Sequence, residues 1–213
     1  LPPGLAQRGA ELRARYGAGR PVWVAGSTHA GEEQIVLEAH RRVLGQQPRA
    51  LLILAPRHPQ RFAAAAAAVA AQRFGCVRRS DDSPHEDYQV LLLDTLGELA
   101  DFYAAADVAF VGGSLVPIGG HNLLEPAALG LPVLSGPEHF SSPEVARALG
   151  GRGALTIVHD AAELAAALSR LLADPQARAL QGAAGRAAIE ANRGALERLL
   201  GLIDQLPAAR DAA

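Results

Sequence analysis

Seven short apolar runs, none of them alternating polar with apolar, set the strongest constraint on what this chain can fold into. They are Pro21–Val24, Ala50–Ala55, Cys76–Arg79, Val90–Leu93, Val108–Val111, Pro132–Ser135 and Ala154–Val158. A strand with one wet face alternates; a run without alternation must be covered on both faces. Between the runs lie amphipathic stretches. In Glu32–Leu44, Val36, Ala39 and Val43 share a face, and in Ala161–Leu172 so do Leu164, Leu168, Leu171 and Leu172. This strand-helix alternation predicts an α/β fold, a doubly wound parallel sheet with helices on both faces. Leu5–Tyr16 reads as a lone helix ahead of the first strand. After Leu172 the strands stop: Pro175 suits the first turn of a helix, and Gly194–Leu206 reads as another. The expected organisation is one domain over residues 1–213, with a leading helix at 5–16 and a helical extension at 175–206.

Composition supports a packed core. Hydrophobic residues make up 49% and charged residues 20%, which excludes a disordered chain. The net charge of −2 lacks the basic footprint of a nucleic-acid binder, so no nucleic-acid partner is expected. All 20 cationic residues are Arg and there is no Met. The missing initiator suggests a processed chain or an excised piece of a longer one. The lone cysteine, Cys76, cannot form an internal disulfide and fits a reducing compartment; in an apolar strand it reads as an inert core thiol. Trp23 reads as core. The Ala63–Ala71 run is far short of the roughly 20 apolar residues a membrane span needs, and no signal peptide is evident.

In doubly wound sheets ligands sit outside the C-terminal strand ends, so the loops that follow strands matter most. The first is Ala25-Gly26-Ser27-Thr28-His29-Ala30-Gly31-Glu32-Glu33. Its helix start could face an anion. The plain reading is a cap by Ser27 or Thr28, with Glu32 and Glu33 favouring the positive end of the helix. The second, Pro56-Arg57-His58-Pro59, stiffens an Arg and a His at a strand end; taken alone it is a solvated loop. In the third, Asp94-Thr95-Leu96-Gly97-Glu98-Leu99, Asp94 or Thr95 can cap a helix and Gly97 lets a flat ring approach the backbone.

The fourth loop runs Gly112-Gly113-Ser114-Leu115-Val116-Pro117-Ile118-Gly119-Gly120-His121-Asn122-Leu123-Leu124-Glu125-Pro126. Its glycines permit close approach of backbone to phosphate. Asn122 can cap a short helix whose free amides hold an anion, and Glu125 could accept hydrogen bonds from a ribose diol. A purely structural loop seldom combines four glycines, a His, an Asn and a Glu at a strand end, so a functional role is favoured. His29 and Glu33, at i and i+4, could ligate a metal with His40, His58 or His121. Without an H-E-x-x-H pattern or a second Cys, no metal site is expected. Ser114 lacks a G-x-S-x-G setting and is not expected to be a nucleophile.

Together these loops resemble one family. Gly26-Ser27-Thr28-His29, Arg57-His58-Pro59, Asp94 to Leu99, and Gly112-Gly113-Ser114 through Gly119-Gly120-His121-Asn122-Leu123-Leu124-Glu125-Pro126-Ala127 are similar to the C-terminal half of 3-deoxy-D-manno-octulosonic acid (Kdo) transferases. The resemblance covers Leu5 to Leu206. It implies one Rossmann-like half of a two-domain GT-B glycosyltransferase. It also implies transfer of Kdo from CMP-Kdo to a lipid A precursor in lipopolysaccharide assembly, at the cytoplasmic face of the Gram-negative inner membrane. The implied reaction is inverting and needs no metal or cofactor. The acceptor site, membrane anchor and general base belong to the other half, so no catalytic residue is expected here and this piece alone is expected to be inactive.

Carried over position by position, the resemblance assigns CMP contacts to Pro56 and Arg57. It assigns packing on the cytidine to Leu96, Gly97 and Glu98. Phosphate and ribose fall to Asn122, Leu123, Leu124 and Glu125. Ser27, Gly113, Ser114 and His121 are further donor contacts. After Gly136-Pro137 the family often shows an Asn-Phe pair where this chain has Ser141-Ser142. The chemistry is compatible: one phosphodiester needs less neutralisation than a pyrophosphate, so an Arg and a helix terminus could suffice. The alternatives are a metal-assisted hydrolase using His29, Glu33 and His121, a non-catalytic sugar-nucleotide-binding module, and a GT-B transferase or epimerase acting on a UDP-sugar.

Overall fold

The computed structural model describes residues 2–84 and 87–204, the side chains of residues 192–204 excepted. All seven apolar runs are strands: β1 (Val22–Thr28), β2 (Leu51–Pro56), β3 (Cys76–Arg78), β4 (Val90–Leu92), β5 (Val108–Val111), β6 (Val133–Ser135) and β7 (Leu155–Ile157). They form one sheet in the order β3-β4-β2-β1-β5-β6-β7, and each neighbouring pair is parallel. The chain begins at the centre with β1, moves out through β2 to the edge at β3, returns one place to β4, then crosses over to β5. The gap between β1 and β5 is therefore the topological switch point.

The lack of alternation has its expected cause. In β1, Trp23 and Ala25 face one core with α2 (Glu32–Gln46), α3 (Phe62–Ala71) and α7 (Ala161–Ala173). Val22 and Val24 face the other, with Tyr16 of α1 (Leu5–Tyr16) and with Phe102 and Tyr103 of α4 (Leu99–Ala104). Under β5–β7, Leu123, Ala127 of α5 (Leu124–Leu129), Leu149 of α6 (Pro143–Gly150) and Ala188 of α8 (Pro175–Asp204) close a third cluster. Trp23 is fully buried, as expected. Cys76 is half-buried on edge strand β3, and burial pushes its thiol pKa up, so the thiol stays protonated.

Several local expectations are corrected. The chain forms no new helix at Gly194: α8 is continuous from Pro175 to Asp204, and Leu206 lies outside the described residues. Asp174 caps α8 through the amides of Gln176 and Ala177. Neither Ser27 nor Thr28 caps α2, because β1 runs on through both; the cap position is Gly31, at φ 93°. Nor do Asp94 and Thr95 cap α4, whose cap position is Glu98. The short helices α5 and α6 carry too few periodic positions for a pattern to register. Among the described residues no helix is long and apolar enough to cross a membrane.

Candidate functional site

Register along β1 breaks between Gly26 and Thr28. Gly26 pairs with Ala55 and Thr28 with Pro56, leaving Ser27 as the extra residue of a bulge at φ 56°. A non-glycine residue in the left-handed region costs free energy, and bulges of this kind re-aim side chains beside sites. Gly26 has a steric reason to be glycine: a Cβ there would collide with the Tyr103 hydroxyl. The bulge turns Ser27 into a cleft of about 110 Å³ at the C-terminal ends of β1, β2 and β4. Pro56, Arg57, Thr95, Leu96 and Gly97 also line it. Five residues singled out from sequence thus meet at one cleft: Ser27, Pro56, Arg57, Leu96 and Gly97. Leu96 is 69% exposed, a large apolar side chain with no protein surface over most of it. Gly97 is at φ 83°, a conformation glycine adopts without strain.

Glu98, the third residue of that segment, is engaged inside the protein. Its carboxylate accepts from Arg79 Nε and Nη2 at 3.2 and 2.8 Å and from the Thr95 hydroxyl. One residue away along β3, Arg78 pairs with Asp94 at 3.0 Å, and Asp94 also holds Ser80. Two successive arginines therefore pin both ends of the Asp94–Glu98 loop. Glu98 braces the cleft wall.

The switch point is built around Glu32, which is fully buried in the first turn of α2. Its Oε2 accepts from the amides of His29 (3.0 Å) and Gly113 (2.7 Å). Its Oε1 accepts from the amides of Ser114 (3.0 Å) and Leu115 (2.9 Å). The glycine-rich loop after β5 was expected to let its backbone come close to a ligand phosphate. At Gly113, Ser114 and Leu115 the amides are already occupied by a carboxylate of the chain itself. Gly112 allows this approach: a Cβ there would lie 2.7 Å from the Ser27 carbonyl oxygen. Ser114 is fully buried, its hydroxyl donating to Val111 O at 2.7 Å and accepting from Gly136 N at 2.8 Å. Gly113 and Ser114 thus shape the loop from within.

The same interlock sets two imidazoles side by side. His29 Nε2 and His121 Nε2 lie 2.7 Å apart, the rings nearly parallel at 9° with centroids 5.0 Å apart. His58 meets His29 edge-on at 5.4 Å. Burial pushes the His121 pKa down to about 4, aided by the charges of His29, Arg57 and His58. Burial also lowers that of His29; Glu32 opposes the shift while His58, Arg57 and Arg61 add to it. Both rings are neutral at pH 7. Arg57, exposed at the end of β2, projects its charge onto both.

Asn122 lies one residue ahead of the α5 cap position, Leu123, and its Oδ1 accepts from Leu124 N at 3.0 Å. Leu123 is buried, whereas Leu124 and Glu125 are exposed. Glu125 also reaches the sheet end: its charge adds to burial in raising the pKa of Tyr103, the residue beneath Gly26. The Ser141-Ser142 segment packs on the glycine pair, with Ser141 N donating to Gly119 O at 3.2 Å. The supposed ligand group of His29 and Glu33 with His40, His58 and His121 does not assemble as a whole: only the imidazoles of His29, His58 and His121 come together. Glu33 pairs with Arg61 at 3.1 Å, and His40 is buried against Trp23. Among the described residues no group of three or more His, Cys, Asp or Glu side chains is placed to hold a metal ion. Sequence reasoning missed Glu32 as an anchor, Thr95 as cleft wall and Arg79 as a brace. Only contacts between distant segments reveal these roles.

An all-parallel, Rossmann-like sheet with this cleft at its C-terminal strand ends defines one half of a GT-B glycosyltransferase. Residues 86–188 match the family described as glycosyl transferases group 1. The chain is 44% identical over 90% of its length to the 3-deoxy-D-manno-octulosonic acid transferase of Haemophilus influenzae. It is 43% identical over 87% to that of Bordetella pertussis. Among solved structures, the C-terminal CMP-Kdo binding domain of WaaA from Acinetobacter baumannii superposes with a TM-score of 0.83. Identity there is 34%, over 87% of this chain and 98% of that one. The chain belongs to the Kdo transferase family. It spans about half the length of those curated relatives, 45% in each case.

Proposed function

We propose that this chain is the donor-binding half of a Kdo transferase and holds CMP-Kdo at the cleft between β1, β2 and β4. The observation that carries the reading is the convergence of Ser27, Pro56, Arg57, Leu96 and Gly97 on that cleft, in a chain of this family. The exposed Leu96 and flat Gly97 offer a surface for the cytosine ring. Arg57 supplies a cation for the phosphate, and its planar fork matches two phosphate oxygens. Glu125 takes the ribose diol, and Asn122, Leu123 and Leu124 present the start of α5 near the phosphate.

In the full protein the acceptor is a lipid A precursor at the cytoplasmic face of the inner membrane. Its hydroxyl oxygen forms a bond to the anomeric carbon of Kdo from the face opposite the phosphate, inverting that centre. The carbon–oxygen bond to phosphate breaks, and its electron pair stays on the phosphate. The hydroxyl proton passes to a base supplied by the rest of the protein, so this chain alone is inactive. The reading requires no metal or cofactor: Arg57 and backbone dipoles answer the charge that develops on CMP, and donors aimed there favour the transition state over the ground state.

Calorimetric titration with CMP, with UMP as the control, tests the reading. Saturable binding that prefers CMP and weakens in Arg57→Ala and Glu125→Ala variants is the expected result. A preference for UMP, or affinity unchanged by both substitutions, would overturn it.

A further inference from the structure

We propose that His29 and His121 act together as a one-proton acceptor that answers the second negative charge appearing on the nucleotide phosphate when CMP is released from the sugar. This inference rests on the cleft being a CMP site.

The geometry limits the pair to a single added proton. An Nε2–Nε2 separation of 2.7 Å requires an N–H on one ring and a lone pair on the other. The neutral pair meets this with one Nε2–H tautomer and one Nδ1–H tautomer. One extra proton preserves the bond and makes it charge-assisted. A second would set N–H against N–H. The backbone holds the rings in place: Glu32 binds the amide of His29 and, through Gly113, Ser114 and Leu115, the start of the loop that carries His121.

The charges around the pair are poised against protonation when the site is empty. Arg57, Arg61 and His58 face His29, where Glu32 opposes them, and Arg57 and His58 face His121. The Glu32 oxygens are already engaged with four amides, which tempers the opposition. An anion bound to Arg57 would neutralise the cation that both rings feel and add negative charge beside them.

The donor and product differ in that charge. In CMP-Kdo the phosphate is a diester with one negative charge. In CMP it is a monoester whose second ionisation lies at about pH 6. A dianion favours the protonated pair more than a monoanion does. The device therefore responds more strongly to the charge that develops during bond cleavage than to the intact donor. Neither ring touches the reacting carbon in this scheme, and the acceptor proton still leaves to its own base.

The test is calorimetry on this 213-residue chain at pH 7 in buffers of low and high ionisation enthalpy. Two ligands are compared: CMP, and the methyl phosphodiester of CMP, which has no second ionisation. Wild type is expected to take up a measurable fraction of a proton with CMP and a smaller one with the diester. The ratio of CMP to diester affinity is expected to rise roughly tenfold per pH unit at most as pH falls toward 6, the limit for one linked proton. His29→Gln and His121→Gln are expected to bind CMP with the uptake lost, and His58→Gln to retain it. CMP binding without proton uptake, uptake that survives both pair variants, or uptake lost only in His58→Gln would each overturn the proposal while leaving the CMP site intact. Absence of saturable binding by either ligand would overturn both.

Discussion

Replacing Glu32 with Gln puts the greatest strain on the architecture of the switch point. Each carboxylate oxygen accepts two amide hydrogens: Oε2 those of His29 and Gly113, Oε1 those of Ser114 and Leu115. Gln keeps one oxygen and points an NH2 group at the other two donors. Two hydrogen bonds to a charged group are lost, each worth about 1.5–3 kcal/mol, and buried N–H groups lose their partners. The expected loss is about 3–6 kcal/mol, a large share of the roughly 5–15 kcal/mol that stabilises a folded protein. With a urea slope of about 2–3 kcal/mol/M, the midpoint should fall by roughly 1–3 M.

Glu32→Ala offers a sharper version. It opens a hole lined by four amides that converge on a carboxylate-sized space. Acetate or formate should then raise the stability of that variant more than that of wild type, following ordinary ligand linkage. A Glu32→Gln loss under about 1 kcal/mol, with no carboxylate rescue of Glu32→Ala, would refute the view that Glu32 ties the two loops together.

Removing the Arg57 guanidinium in Arg57→Ala is expected to weaken CMP by roughly 10- to 150-fold, the range for one charge-assisted contact, as read by calorimetry. Arg79→Ala frees Glu98 and should weaken CMP about two- to tenfold without touching ligand, with Arg79→Lys recovering part of the loss. His40 donates from Nε2 to Gln89 O at 2.9 Å and accepts from Trp23 Nε1 at 3.2 Å, so its ring is the neutral Nε2–H tautomer. Burial pushes its pKa down to about 4, against 6.5 when unfolded; the Gln89 carbonyl opposes the shift while Arg20 and Arg41 add to it. The neutral ring belongs to the folded state, so its contribution is complete above pH 6.5 and is lost as pH falls toward 4, by about 3 kcal/mol in all. Urea unfolding followed by the fluorescence of Trp23, the sole tryptophan, should show that loss, and His40→Gln should flatten it.

Much of the scaffold was legible because the apolar pattern reflects a requirement on every strand at once. Trp23 and Val24 had to be apolar together, since one faces α2, α3 and α7 and the other faces α1 and α4. Seven runs read from that rule became seven strands. Boundaries proved harder. Nothing local to Gly26-Ser27-Thr28 announces that β1 runs on through a bulge, because the bulge is set by pairing with Ala55 and Pro56. Gly194 looked like a break, yet the helix passes through it, since one glycine costs only about 1 kcal/mol.

The site divides along the same line. Loops that follow strands could be located from sequence, so the residues converging on the cleft were found. Which partner each loop atom would choose could not be read. A glycine-rich turn with free amides attracts any anion, and sequence offers no means of telling a ligand phosphate from a glutamate 81 residues away. The chain filled the amides of Gly113, Ser114 and Leu115 with Glu32. A nest satisfied from within ties the backbone of His29 to the start of the loop that carries His121 before any ligand arrives. Mobile groups would have to be ordered as charge develops on the phosphate; groups already ordered incur no such cost at that moment. The paired imidazoles can then meet that charge from fixed positions, beside the exposed Arg57.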